Sequence, residues 1–151
     1  MSRVDFYHLQ KQSLDEVLPK LLNKAYATQK HIVVKVGTAE RVEFLNSLLW
    51  TYNEESFLPH GSIRDGFAEA QPIWLTSDND NPNSADFLFL VDGAEVESNK
   101  IAEFERVFNI FDGNSEDAIN QARRLWKIYK ESGSEVYYWQ QSADGRWEQK
   151  A

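Results

Sequence analysis

The chain has 151 residues, a formal net charge of −8 at pH 7, 42% hydrophobic residues and no cysteine. This length and apolar content suit one domain with a buried core, which excludes a wholly disordered chain. The missing cysteines exclude disulfides, thiol catalysis and cysteine-ligated zinc or iron–sulfur sites. The acidic balance argues against salt-driven binding to nucleic acid, so any contact with DNA is expected to be indirect.

The apolar runs of the sequence are short. None of them approaches the roughly 18 residues that a membrane-spanning helix needs. The first residues also lack the apolar stretch of a secretory signal peptide. We therefore expect a cytoplasmic protein that does not enter a membrane.

The spacing of apolar residues predicts strands that alternate with helices. The predicted strands cover residues 4–9, 31–36, 73–76, 87–91, 108–111, 136–141 and 146–149. The predicted helices cover residues 14–27, 38–50, 101–107 and 115–130. Ser13 and Glu16 have the spacing of a capping box at the start of the first helix.

This order of elements predicts an α/β fold. Strands separated by helices favour a Rossmann-like, mainly parallel sheet with helices on both faces. We expect residues 1–151 to form a single domain. The turn-forming residues 142–145 predict a C-terminal hairpin within residues 135–150.

Evidence for an enzyme is limited to two acidic residues. Asp92 and Asp112 end predicted strands, where an α/β enzyme places catalytic acids. Each is followed by glycine, however, and Asp-Gly pairs are also typical of tight turns. The three histidines lack metal-binding spacing, and the sequence contains no phosphate-binding glycine motif, so we expect no cofactor and no metal. A small cytoplasmic α/β enzyme using these acids remains the alternative hypothesis.

The last predicted helix carries a basic stripe. Arg123, Lys127 and Lys130 recur at helical spacing, and Trp126 belongs to the neighbouring apolar face. One interpretation is a solvated helix face whose charges follow the helix dipole. The other is a groove with an apolar floor and a basic rim that binds an acidic, hydrophobic peptide.

A second candidate surface lies where the second predicted helix ends and the long irregular stretch begins. Trp50, Phe57 and Pro59 cluster there. Aromatic residues beside a proline-containing loop are typical interface anchors, but they are also compatible with core packing. The pattern alone leaves both interpretations open.

Three segments of the sequence resemble the chi subunit family of bacterial DNA polymerase III. They are Phe6-Tyr7-His8-Leu9, then Leu48-Leu49-Trp50 followed by the segment 55–60, and the helix end Trp126-Lys127-Ile128-Tyr129-Lys130. The three occur in the family's order, and the resemblance covers almost the whole chain.

The resemblance implies a non-catalytic adaptor of the clamp-loader assembly. Members of the family bind the psi subunit, or in some cases a helicase that uses the same surface, and we expect Trp50, Phe57 and Pro59 to serve this contact. They also bind the C-terminal tail of single-stranded DNA-binding protein, which is acidic and ends in an apolar residue with a free carboxylate. We assign Arg123, Trp126, Lys127, Lys130 and Phe111 to the tail. Ile119 stands where the family can carry another basic residue, so either the tail affinity is lower or Lys127 and Lys130 compensate for the missing charge.

Overall fold

The structure, a computed structural model, describes residues 2–52 and 58–151. In these ranges the strands are β1 (Arg3–Leu9), β2 (Ile32–Val36), β3 (Ile73–Thr76), β4 (Phe87–Val91), β5 (Arg106–Asp112), β6 (Glu135–Gln141) and β7 (Trp147–Gln149). The α-helices are α1 (Leu14–Tyr26), α2 (Ala39–Thr51) and α3 (Glu116–Glu131). Short 3₁₀ turns cover Ala68–Ala70 and Ser98–Glu103.

The strands form one sheet in the order β3-β2-β4-β5-β1-β6-β7. Every neighbouring pair is parallel except β6 and β7, which pair antiparallel. The expected Rossmann-like, mainly parallel sheet is therefore confirmed. The antiparallel pair is the C-terminal hairpin that residues 142–145 predicted.

Helices cover both faces of the sheet, as the sequence predicted. Successive side chains of a strand point to opposite faces, so Phe6 and Tyr7 of β1 belong to two separate cores. Tyr7 packs in the core with α1 and α2, which contribute Leu18 and Leu45 among others. Phe6 packs in the core with Tyr129 and other residues of α3.

The helix starts follow from local hydrogen bonding. The Ser13 hydroxyl accepts a hydrogen bond from the backbone N–H of Glu16, and the Glu16 carboxylate accepts one from the Ser13 N–H, which confirms the capping box. Thr38 and Ser115 cap α2 and α3 through their hydroxyls in the same way. These caps satisfy N–H groups that the first turn of a helix leaves without partners.

One predicted element is wrong. Residues 101–107 are not a helix: a 3₁₀ turn ends at Glu103, and β5 already begins at Arg106. The physical reason is the position of Val107, which is fully buried and pairs with Val4 in the centre of the sheet. A short apolar run can form either a helix or a strand, and here the parallel pairing with β1 decides for the strand.

Candidate partner-binding surfaces

The first surface is the exposed basic side of α3. Ala122, Leu125 and Tyr129 face the core and are buried, so helical spacing leaves Arg123, Lys127 and Lys130 exposed. Among the described residues, none of these three cations is within salt-bridge distance of a carboxylate. The adjacent Arg124, by contrast, pairs with Glu95. The basic stripe is therefore available to an external anion, whereas Arg124 already has an internal partner.

Beside this stripe lies a shallow apolar cavity of about 320 Å³, which we call the α3 groove. It is lined by Ala122, Arg123, Trp126, Tyr138 and Ala151. The Trp126 ring is half-buried, with its centroid 6.0 Å from that of Tyr138, and the Nζ of Lys130 lies 5.9 Å from its ring centroid. A guanidinium next to an apolar cavity can hold a carboxylate and an apolar side chain at the same time.

Phe111 lies behind the α3 groove. It is 7% exposed, and its ring centroid is 5.1 Å from that of His8 and 6.1 Å from that of Tyr138. It therefore supports Tyr138 and does not itself line the cavity. Sequence reasoning missed Tyr138, because its place in the groove depends on the parallel pairing of β6 with β1. The alternation of β6 alone indicates only that Tyr138 and Trp139 face opposite sides.

The protein environment favours the neutral forms of two titratable groups at the α3 groove, Tyr138 in its lining and His8 behind it. The His8 Nδ1 and the Tyr138 hydroxyl are hydrogen-bonded, whereas the buried His8 Nε2 has no partner among the described residues. Burial lowers the pKa of His8 and the charge of Arg123 lowers it further, although the nearby Gly113 backbone acts in the opposite direction. Burial raises the pKa of Tyr138. Arg123 is therefore the main charge at the floor.

The second surface surrounds the C-terminal end of α2. Trp50 is 48% exposed, and its ring centroid lies 4.3 Å from that of His60. Pro59 is half-buried beside it, whereas Leu58 is buried in the core. Phe57, which the sequence also assigned to this surface, lies outside the described residues. The exposure of Trp50 favours an interface anchor over a core residue.

Two large apolar side chains are exposed in the loop that follows α2. Ile63 and Phe67 are 81% and 80% exposed. Large exposed side chains grouped in one region are typical of protein–protein interfaces. Sequence reasoning did not single them out, although large apolar residues in a long irregular loop are a signal of a binding surface.

Hydrogen bonds attach this loop to α2. The Asp65 carboxylate accepts from the backbone N–H of Ser62 at 2.9 Å and from the amide of Asn46 at 2.8 Å. The Ser62 hydroxyl donates to the Glu43 carboxylate at 2.9 Å. The bond from Ser62 and the Asn46 amide hold the pKa of Asp65 below its usual value, although burial opposes them. These hydrogen bonds connect residues 62–65 to α2.

The two acidic residues of the enzyme hypothesis both have partners within the chain. Asp92 pairs with Arg41 at 2.8 Å, and Asp112 accepts a hydrogen bond from the N–H of Asn114 at 2.9 Å. Both line a cavity of about 770 Å³ at the carboxyl edge of the sheet. In the described residues, no group of three or more histidine, aspartate or glutamate side chains is arranged to hold a metal.

Membrane crossing is likewise not indicated. No helix in residues 2–52 and 58–151 combines the length and apolar character that a membrane span requires.

Comparison with known proteins gives a family match. A family model described as DNA polymerase III chi subunit, HolC, matches residues 1–137. The chain is also similar to the probable DNA polymerase III subunit chi of Rickettsia prowazekii (strain Madrid E), with 29% identity over 111 residues. That match covers 74% of this chain and 66% of the relative, so the chain spans just under two thirds of the relative's length.

Proposed function

The chain belongs to the DNA polymerase III chi family, and on this premise we propose that it is a non-catalytic adaptor in DNA replication. It links the clamp-loader assembly of the polymerase to single-stranded DNA-binding protein. The observation that carries this proposal is the α3 groove, where an apolar cavity adjoins the exposed guanidinium of Arg123.

The α3 groove suits the acidic tail of single-stranded DNA-binding protein in two respects. Its cavity can bury the terminal apolar side chain against Trp126 and Tyr138. Arg123 can hold the terminal carboxylate through two parallel hydrogen bonds. Lys127 and Lys130 add attraction for the preceding acidic residues. Lys127 and Lys130 thus compensate for the basic charge that Ile119 does not provide.

The surface around Trp50 contacts the second partner, which is a psi subunit or a helicase that uses the same surface. Trp50 and Pro59 are the described anchors, and Phe57 stays a prediction. Ile63 and Phe67 of the following loop are also exposed and offer further apolar area to a partner. Because the two surfaces use different elements, both partners can bind at once.

The charge of the chain supports an indirect contact with DNA. A net charge of −8 opposes direct binding to phosphates, so the protein reaches DNA through the protein that coats it. This role requires no cofactor, and it takes place in the cytoplasm.

Isothermal titration with a tail peptide tests the proposal. Two versions of the peptide are compared: one with a free C-terminal carboxylate and one with a C-terminal amide, which removes the anion and keeps the side chain. We expect the free acid to bind at least tenfold more tightly. Equal affinities, or no binding of either peptide, would contradict the adaptor function.

A further inference from the structure

A second groove lies on the opposite face of the sheet, between α1 and the strand pair β6 and β7. We call it the α1 groove. Its volume is about 430 Å³, and its aromatic lining consists of Tyr7, Phe87, Phe108, Trp139 and Trp147. The family match ends at residue 137, so Trp139 and Trp147 lie beyond the matched part. Neither tryptophan takes part in the adaptor function above.

Aromatic rings of neighbouring strands form a flat floor. The Tyr7 ring lies within 14° of parallel to that of Phe108 and within 12° of parallel to that of Trp139. The Trp147 ring stands edge-on to Tyr7, with centroids 5.1 Å apart. The α1 side contributes Leu21, Lys24 and Thr28. Trp139 and Trp147 are only partly buried, so the groove is open to an apolar side chain from outside.

The groove carries positive charge on an acidic protein. Arg3, Lys24 and Arg106 line it. The carboxylate that faces the two arginines is Asp5, which is fully buried and accepts bonds from both. The lining of the groove thus contains three cations and no carboxylate, whereas the whole chain has a net charge of −8. Such a local excess favours an acidic ligand.

The sheet edge beside the groove favours an extended ligand. In the sheet of the described residues, β7 is the last strand and pairs on one side only, with β6. An unpaired edge offers backbone N–H and C=O groups to an added strand. Trp147 belongs to this edge strand and also lines the groove, so a peptide paired with β7 can place a side chain there.

We propose that the α1 groove and the edge of β7 bind an extended acidic segment of a partner protein, with one apolar or aromatic side chain inserted beside Trp147. Lys24, Arg3 and Arg106 attract the carboxylates of the segment through longer-range electrostatic interactions. A nucleotide fits less well, because α1 meets the groove near its C-terminal end and so offers no helix N–H groups to hold a phosphate. This site is independent of the α3 groove.

The probe is a synthetic heptapeptide with alternating glutamate and valine and a central phenylalanine, acetylated and C-terminally amidated so that it lacks a terminal carboxylate. Its binding to the ¹⁵N-labelled full chain is followed by NMR, which resolves the indole N–H groups of individual tryptophans. We expect saturable shifts at Trp139 and Trp147 and none at Trp126. Shifts at Trp126 instead, or no shifts at millimolar peptide, would overturn the proposal.

Matched variants test each part of the contact. Lys24→Glu should weaken peptide binding about fivefold, whereas Lys20→Glu, an exposed position on the same helix outside the groove, should change it less than twofold. Trp147→Ala should weaken it about tenfold. Arg123→Ala should leave it unchanged, which separates this site from the tail site. Equal effects of Lys24→Glu and Lys20→Glu would overturn the proposal.

Two altered probes decide the mode of binding. A heptapeptide N-methylated at the residues that face β7 cannot pair with the strand edge. Its affinity should therefore be at least tenfold lower than that of the unmodified heptapeptide. Unchanged binding would show that no strand is added and would overturn the proposal.

Oligo-deoxythymidine is the nucleic-acid probe. Shifts at Trp139 and Trp147 with this probe but not with the heptapeptide would assign the groove to nucleic acid and overturn it as well.

Discussion

Tyr138 and Trp139 are consecutive residues of β6 that line grooves on opposite faces of the sheet. Tyr138 lies in the α3 groove, with its ring centroid 6.0 Å from that of Trp126. Trp139 lies in the α1 groove, where its indole N–H donates to the Asp5 carboxylate at 2.9 Å. Because side chains alternate along a strand, one strand near the edge of the sheet supplies a wall to both sites. Substitutions at the two positions are therefore expected to separate the two binding activities.

Arg123→Ala should weaken binding of the tail peptide by about 1.5–3 kcal/mol, the usual cost of losing a charge-assisted hydrogen bond. The measurement is isothermal titration at fixed salt. Arg124→Ala is the matched control: it removes the same charge from the next position, but that side chain already pairs with Glu95 at the surface. Similar losses in both variants would indicate a general charge effect and contradict a specific carboxylate contact.

Lys127→Ala should have a smaller effect, and mainly on the association rate. Lys127 is exposed on the basic stripe and does not line the α3 groove, so it acts through longer-range attraction. Stopped-flow association at increasing salt is the measurement, and the difference from the wild type should shrink as salt screens the charge. A slower association that persists at high salt would argue against this role.

Trp50→Ala should cost on the order of 2 kcal/mol of binding to a psi-type partner, with little change in the free energy of unfolding. The indole is 48% exposed, so its removal leaves no large internal cavity. Leu49→Ala serves as the control, because Leu49 is 2% exposed and its truncation should destabilise the fold by about 2–5 kcal/mol. Chemical denaturation and a partner titration on both variants distinguish the two effects. Loss of stability with intact binding in Trp50→Ala would place this residue in the core.

Asp5→Asn should destabilise the protein at neutral pH by about 1–3 kcal/mol. Burial acts to raise the pKa of Asp5, but hydrogen bonds from Arg3, Arg106 and Trp139 together outweigh it, so the folded-state pKa lies below the usual value. A lowered folded-state pKa means that the ionised group stabilises the fold above the unfolded-state value of about 3.9. This contribution is lost as the pH falls through the folded-state pKa.

Denaturation of the wild type and Asp5→Asn across this acidic range is the measurement. The stability difference should be constant near pH 7 and decrease below about pH 4. A difference that is independent of pH would show that the carboxylate charge is not what stabilises the network.

The local pattern of the sequence determined most of the elements and the exposure of the basic stripe. The capping residues Ser13 and Glu16 and the 3.6-residue period of α3 act within one or two helical turns, so neighbouring residues suffice to specify them. The same holds for the turn before β7. The fold class followed because strands that alternate with helices have few ways to bury their apolar faces.

Only the tertiary structure decided which side chains meet. Val107 belongs to a strand and not to a helix because it pairs with Val4, which is 103 residues away in the chain. Tyr138 reaches the α3 groove, and Trp139 reaches the α1 groove, because β6 pairs in parallel with β1. Such long-range pairings depend on the packing of the whole sheet, which no local period encodes. The sequence by itself thus determined the elements and the stripe of charge, whereas the strand order decided which aromatic residues lie beside that charge.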